Sequence, residues 1–238
     1  MGADATNDTA VAKIFSNKER PSFNPLIVHI SSIDQAQKIS IFNEKIENLT
    51  DKFWPGPLTI ILEKTKDSKI SPLVSAGLKT IALRQPNNKT ALSLIKKFKK
   101  PIAAPSANKF GFLSPTSASH VKKQFTNNDD ISFIIDDGKT NIGIESTVLG
   151  LNLENKVIIY RHGGITKEEI EETINEKVST FTIDDSSNKI KISPGMIKKH
   201  YAPKVSLRIN ALEAQDNEIF IGFGSESVSY THLRAHET

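Results

Sequence analysis

The chain has 238 residues, 37% of them hydrophobic, with 31 Lys plus Arg against 27 Asp plus Glu and no cysteine. That length suits one large domain, or one domain with part of a second, and buries enough surface to need neither disulfides nor a structural metal. The missing cysteines exclude disulfide scaffolds, thiolate nucleophiles, zinc ribbons and iron–sulfur clusters, while no apolar run approaches the roughly 18 residues of a membrane span.

In chain order, residues 7–17 are predicted as a helix capped by Asn7 or Asp8, with Val11, Ile14 and Phe15 on one face. Pro21 and Pro25 force an extended crossing into a short buried strand at 26–30. Residues 33–49 have helical spacing, and Phe53-Trp54-Pro55-Gly56-Pro57 is a rigid turn feeding a strand at 58–62. A strand at 80–83 ends on Arg84, a helix follows at 90–99, and a strand at 102–104 runs into Pro105-Ser106-Ala107-Asn108. Ser114-Pro115-Thr116 is expected to open another helix, with a Ser cap and Pro at its first position. Further strands are predicted at 131–135, 146–151 and 156–161, and a helix at 166–177 whose Thr166 and Glu169 form a capping box.

This alternation predicts an α/β fold with a twisted mixed sheet flanked by helices, over residues 1–183. Residues 184–204 read as a linker, and strands at 205–208 and 219–223 as the start of a second α/β domain, cut short, over 205–228. The segment 229–238 continues no pattern and is expected to be foreign to the fold, so His232 and His236 are set aside. No strand is expected ahead of the first helix, and both ends read as truncated. No charged-then-apolar leader opens the chain, so a cytoplasmic location is expected.

The net charge of +4 is unevenly spread. The 61 positions from Ser68 to Asn128 hold eleven Lys or Arg and no Asp or Glu, leaving 20 basic and 27 acidic residues elsewhere. Such asymmetry points to an anionic partner, phosphate or nucleic acid. Lys96, Lys97, Lys99 and Lys100 by themselves also suit the solvated C-terminal end of a helix.

Neither G-x-x-x-x-G-K-[ST], G-x-G-x-x-G nor G-x-S-x-G occurs, and no His pair ahead of residue 229 has metal-ligand spacing. What remains is a set of polar residues at the ends of apolar strands and helices: Lys18, Arg20, Arg84, Ser106, Asn108 and Arg161. In open α/β sheets ligands bind beyond strand ends, and guanidinium groups meet phosphate and carboxylate in bidentate fashion.

The order of motifs resembles the threonylcarbamoyl-adenylate synthases, which carry the YrdC-like domain. The resemblance rests on Gly2-Ala3-Asp4-Ala5, Lys18-x-Arg20-Pro21, Asn24-Pro25-Leu26-Ile27-Val28-His29 and Phe53-Trp54-Pro55-Gly56-Pro57-Leu58-Thr59. It continues through Thr80-Ile81-Ala82-Leu83-Arg84, Pro105-Ser106-Ala107-Asn108, Glu145-Ser146-Thr147-Val148 and Arg161-His162-Gly163. Ser193-Pro194-Gly195-Met196 and His200-Tyr201-Ala202-Pro203 point to the long, two-domain branch.

The resemblance implies a nucleotidyltransferase that turns L-threonine, bicarbonate or carbon dioxide, and ATP into threonylcarbamoyl-adenylate and pyrophosphate. The product would reach tRNA through a downstream threonylcarbamoyl transferase, with no membrane involved. By motif position, Lys18, Arg20, Ser106 and Asn108 would form the catalytic set. Arg20, Asn24, Thr80, Ser106, Ser114, Arg161 and Tyr201 would contact ATP, and His29, Arg84 and Ser146 would hold threonine. Mg2+ would ride on the triphosphate rather than on the protein. Family members carry a Pro-Thr-Glu-Thr-like segment and a strand ahead of the Gly-Ala-Asp, which this sequence does not show, so weak stability and weak activity are expected. Two other readings are a non-catalytic protein that binds double-stranded RNA or tRNA through the basic surface, and a carbamoyl-transfer module of the hydrogenase-maturation type.

Overall fold

The computed structural model describes residues 1–126, 128–140, 142–182, 206, 208–211, 213–216 and 218–220. The chain divides into two compact units, Met1–Ala202 and Pro203–Thr238. In the second, Arg208 Nε donates to Glu218 Oε1 at 3.0 Å, and this bond is the main cause holding the Glu218 carboxyl down to about 2.

Among the described residues of the first unit, eight strands form one mixed sheet, in the order β1-β5-β2-β4-β3-β6-β7-β8. They are β1 (Ala3–Asp4), β2 (Ile27–His29), β3 (Leu58–Glu63), β4 (Thr80–Arg84), β5 (Ile102–Ala103), β6 (Thr147–Leu151), β7 (Val157–Arg161) and β8 (Ser179–Thr180). β2 and β4, β3 and β6, and β7 and β8 pair parallel, while the other neighbours pair antiparallel. The expected twisted mixed sheet with flanking helices is therefore the fold of this unit.

Six helices are described: α1 (Asp8–Lys18), α2 (Ile33–Gln37), α3 (Glu44–Phe53), α4 (Lys89–Phe98), α5 (Ala118–Gln124) and α6 (Lys167–Ile174). Asn7, Asn43 and Asn88 cap α1, α3 and α4 by accepting a backbone N–H three residues on. α6 carries the reciprocal Thr166–Glu169 capping box expected from the sequence.

Period-two alternation decides where the core lies and where a site can form. Val28, Ile60, Leu83 and Leu149 share one face of the sheet, packed with Val11 and Ile14 of α1, Ile46 and Leu49 of α3 and Ile170 of α6. Ile27, Ile61, Ala82 and Val148 share the other, in a much smaller cluster with Tyr160. Registers put His29 opposite Arg84, Ala82 opposite Ile61, and Val148 opposite both Thr59 and Arg161, all on this thinly covered face.

Four local expectations are corrected in the first unit, and one in the second. A two-residue strand, β1, precedes the first helix and pairs with β5. The helical spacing of residues 33–49 is split into α2 and α3, because Ile41 N donates to Glu63 O and Ser40 bridges to Lys64, tying this stretch to the end of β3. Ser114-Pro115-Thr116 does not open α5, which starts after Ser117. Residues 131–135 form no strand, and Phe133 stays 73% exposed. Asp130 is held by Lys13 and Asn17 on α1, and Asp137 by Asn88 and Thr90 at the start of α4, so the segment is strapped across helices instead of along a sheet edge. In the second unit Ser206, Arg208, Ile219 and Phe220 lie in no strand. The expected linker at 184–204 and tail at 229–238 lie outside the described residues.

Candidate active site

A cavity of about 400 Å³ opens over the thinly covered sheet face, lined by Arg20, His29, Arg84, Ser106, Ser146 and Arg161 among others. His29, Arg84, Ser146 and Arg161 come from one end of the sheet, where β2, β4 and β7 finish and β6 begins. Ser106 follows β5, and Arg20 follows α1 past a left-handed Glu19 (φ 54°) that turns the chain out of the helix. Leu94 and Ile95 of α4 and Ile102 of β5 supply apolar wall.

Each cation is held by a specific device. Arg20 is buried; its Nε donates to Asn24 O at 3.0 Å and its Nη2 to Asn24 Oδ1 and Pro25 O, both at 2.7 Å. The 20–25 turn thus fixes the plane of this guanidinium. Arg161 donates to Ser146 O from Nε and Nη2 and to Ser146 Oγ from Nη2 at 3.0 Å, with Glu145 Oε2 at 3.9 Å. Ser146 Oγ also meets Thr59 Oγ1 at 2.8 Å, which ties β6 to β3 beneath the cavity.

Arg84 donates through Nε to Gly56 O at 3.0 Å, and among the described residues its terminal nitrogens have no hydrogen-bond acceptor. Burial pulls its pKa below the usual guanidinium value, with Glu145 opposing and Arg161 adding to the pull, yet it stays cationic. Burial first, and Arg84 second, hold the His29 imidazole down to about 3, so His29 is neutral near pH 7.

Lys18 is 1% exposed and does not line the cavity. Its Nζ donates to the backbone carbonyls of Ser106, at 2.6 Å, and Asn108. Burial, then the Arg20 guanidinium, lowers its pKa to about 7 against an upward pull from Glu145. Lys18 therefore clamps the Ser106–Asn108 loop onto the end of α1. Asn108 donates from Nδ2 to Lys109 O and Phe112 O, while its buried Oδ1 has no partner among the described residues. Asn24 Nδ2 is likewise buried and unpartnered. Ser114 stands outside the lining, donating to Glu145 Oε1 at 2.9 Å.

Among the described site residues expected from the sequence, Thr80 is set well along its strand from the cavity. Thr80 lies on the cavity's face of the sheet but pairs with Glu63, four residues along β4 from Arg84, about 13 Å at strand spacing. Tyr201 lies outside the described residues. Glu145, which sequence reasoning does not assign to the site, is the one carboxylate among the cavity-lining residues. Its place directly before Ser146 at a strand start was the available signal. The lysines at 96, 97, 99 and 100 are exposed at and just past the end of α4, as the solvated-helix-end reading expects.

Among the described residues no group of three or more His, Asp or Glu could hold a metal ion, and no helix is long and apolar enough to cross a membrane.

Two glycines shape the rim. A Cβ on Gly163 would sit 2.4 Å from Glu145 O, Ser146 C and Thr147 N, so only glycine lets the loop after β7 press against the start of β6. A Cβ on Gly56 would lie 2.3 Å from Phe53 O, inside the turn that holds Arg84. The rigid Phe53–Pro57 turn read from the sequence therefore aims a site residue.

Two family models match the chain. One, described as "Telomere recombination" and covering the Sua5, YciO and YrdC proteins, spans residues 1–163; the other, "Threonylcarbamoyl-AMP synthase, C-terminal domain", spans 165–236. The threonylcarbamoyl-AMP synthase of Bacillus subtilis is 46% identical over 210 residues, covering 88% of this chain and 59% of its own length. That of Pyrococcus abyssi is 43% identical over 210 residues, covering 87% and 60%. The structure of P. abyssi Sua5 complexed with L-threonine superposes with a TM-score of 0.77 at 42% identity, over 85% of this chain and 58% of that one. The chain spans about three-fifths of the length of these curated relatives. With the fold, the motif positions and these matches in agreement, the chain belongs to the Sua5–YciO–YrdC family.

Proposed function

We propose that the cavity binds L-threonine and ATP and, with bicarbonate or carbon dioxide, forms threonylcarbamoyl-adenylate and pyrophosphate. The observation that carries this reading is the convergence of Arg20, Arg84 and Arg161 with Ser106 and Ser146 on one sheet face. The similarity to P. abyssi Sua5, whose structure is complexed with L-threonine, supports it.

The chemistry asks for positioning and charge stabilisation rather than a protein nucleophile. Threonine's free amine adds to carbon dioxide, giving a carbamate and releasing a proton. A carbamate oxygen attacks the α-phosphorus of ATP, and pyrophosphate leaves. Arg84 is suited to the threonine carboxylate, with neutral His29 and Ser146 beside it. Arg20, Arg161 and Ser106 are suited to the phosphates. Lys18, Asn24, Asn108 and Ser114 hold these groups in place. Thr80, far along β4 from Arg84, does not keep its expected contact with the nucleotide.

Mg2+ fits as the nucleotide's own ion, since the lining offers arginines and hydroxyls and a lone carboxylate. When bound it neutralises phosphate charge. The product would pass to a downstream transferase acting on tRNA, in the cytoplasm where threonine and ATP are supplied.

The test is pyrophosphate release from ATP with L-threonine and bicarbonate supplied together or singly. Release that requires both is expected. Release indifferent to threonine overturns the proposal.

A further inference from the structure

We infer that Glu145 is the binding residue for the substrate's α-ammonium group, and so sets the site's preference for an amino acid over its deaminated counterpart. The inference rests on the reading of the cavity as a threonine site.

Charge makes the case. The cavity is lined by three arginines, Arg20, Arg84 and Arg161, and His29 is neutral near pH 7. An amino acid arrives as a zwitterion whose carboxylate these arginines can take. Its ammonium, brought among the same arginines, meets like charge that a nearby anionic side chain would offset. Glu145 is the one carboxylate among the lining residues that can offset this.

Geometry leaves that carboxylate available. Oε1 accepts from Ser114 Oγ at 2.9 Å, a single bond that occupies part of its capacity. Oε2 is 3.9 Å from Arg161 Nη2, beyond direct hydrogen-bond reach. The side chain is 32% exposed, open to the cavity rather than sealed in a buried pair. Its backbone is fixed on the other side, where Glu145 O accepts from Gly164 N at 3.1 Å. Glu145 also pulls the pKa of both Lys18 and Arg84 upward against the effect of their burial.

The experiment is calorimetric titration of the full chain with L-threonine and with 3-hydroxybutanoate, which is threonine without its amino group. The same pair is then run on Glu145→Gln, whose amide oxygen can still accept from Ser114. In the parent chain L-threonine should bind more tightly. In Glu145→Gln its affinity should fall about 10- to 100-fold, as for loss of a charged hydrogen-bond partner, with 3-hydroxybutanoate changed less than about twofold. An equal loss for both ligands, or none for threonine, overturns the assignment of Glu145 while leaving the threonine site standing. No threonine binding by the parent chain overturns the functional reading itself. If Glu145→Gln binds neither ligand, Glu145→Asp decides: a kept preference for threonine supports the assignment, and a lost one overturns it.

Discussion

Arg84 Nε donates to the carbonyl oxygen of Gly56 at 3.0 Å, so a turn 28 residues upstream aims the guanidinium at the cavity. A lysine at this position keeps the charge but has one nitrogen where arginine has three, and cannot serve the turn and a carboxylate at once. Arg84→Lys should weaken L-threonine binding about 10- to 100-fold with little change in thermal stability, read by calorimetry and by melting.

Lys18 presents the opposite case, a charge spent on the protein's own backbone. Lys18→Met removes the donor shared by Ser106 O and Asn108 O and leaves one buried and one part-buried carbonyl unpaired. A loss of about 2 to 4 kcal/mol in urea unfolding is expected, together with weaker ATP binding as the Ser106–Asn108 loop loosens.

His29 gives the fold a dependence on pH. Its folded pKa of about 3 lies below the ordinary 6.5. Between those values the unfolded chain binds a proton that the folded chain does not, so stability rises with pH across the window and is lost on acidification. The slope from this residue is up to about 1.4 kcal/mol per pH unit and vanishes below the folded pKa. Urea midpoints across the window should fall less steeply on acidification for His29→Gln than for the parent chain.

Gly163→Ala tests the close approach of the loop after β7 to the start of β6. The new methyl would meet backbone atoms at 2.4 Å, and backbone cannot rotate away as a flexible side chain does. A cost of about 3 kcal/mol or more in chemical denaturation is expected, with weaker threonine binding because Glu145 and Ser146 are displaced.

Much of this was legible in the residues themselves. The Thr166–Glu169 capping box and the β-branched strands at 58–63 and 147–151 carry their structure locally, and the structure agrees. Residues 131–135 have the apolar, β-branched composition of a strand, but a strand needs a partner. Local pattern could not reveal that Asp130 and Asp137 tie this segment to two helices. The break between α2 and α3 has the same origin, a non-local pairing with β3. In the site, residues that differ from apolar neighbours (Arg84, Ser106, Arg161) stood out. Thr80 was drawn in by its nearness to Arg84 in sequence, which along an extended strand becomes a long distance. Glu145 carries no local signal of its own beyond its place before Ser146, since only the fold brings it to a cavity lined by arginines.

The alternation of the central strands has a consequence for how this protein can change. In β2, Val28 belongs to the core while Ile27 and His29 face the cavity; in β4, Leu83 and Arg84 divide the same way. Positions one residue apart therefore answer to different demands, one to packing and the next to the ligand. Ligand preference can drift through every second residue of a strand while the intervening ones keep the scaffold intact. Lineages that share this sheet are free to diverge in what they bind long before they diverge in shape.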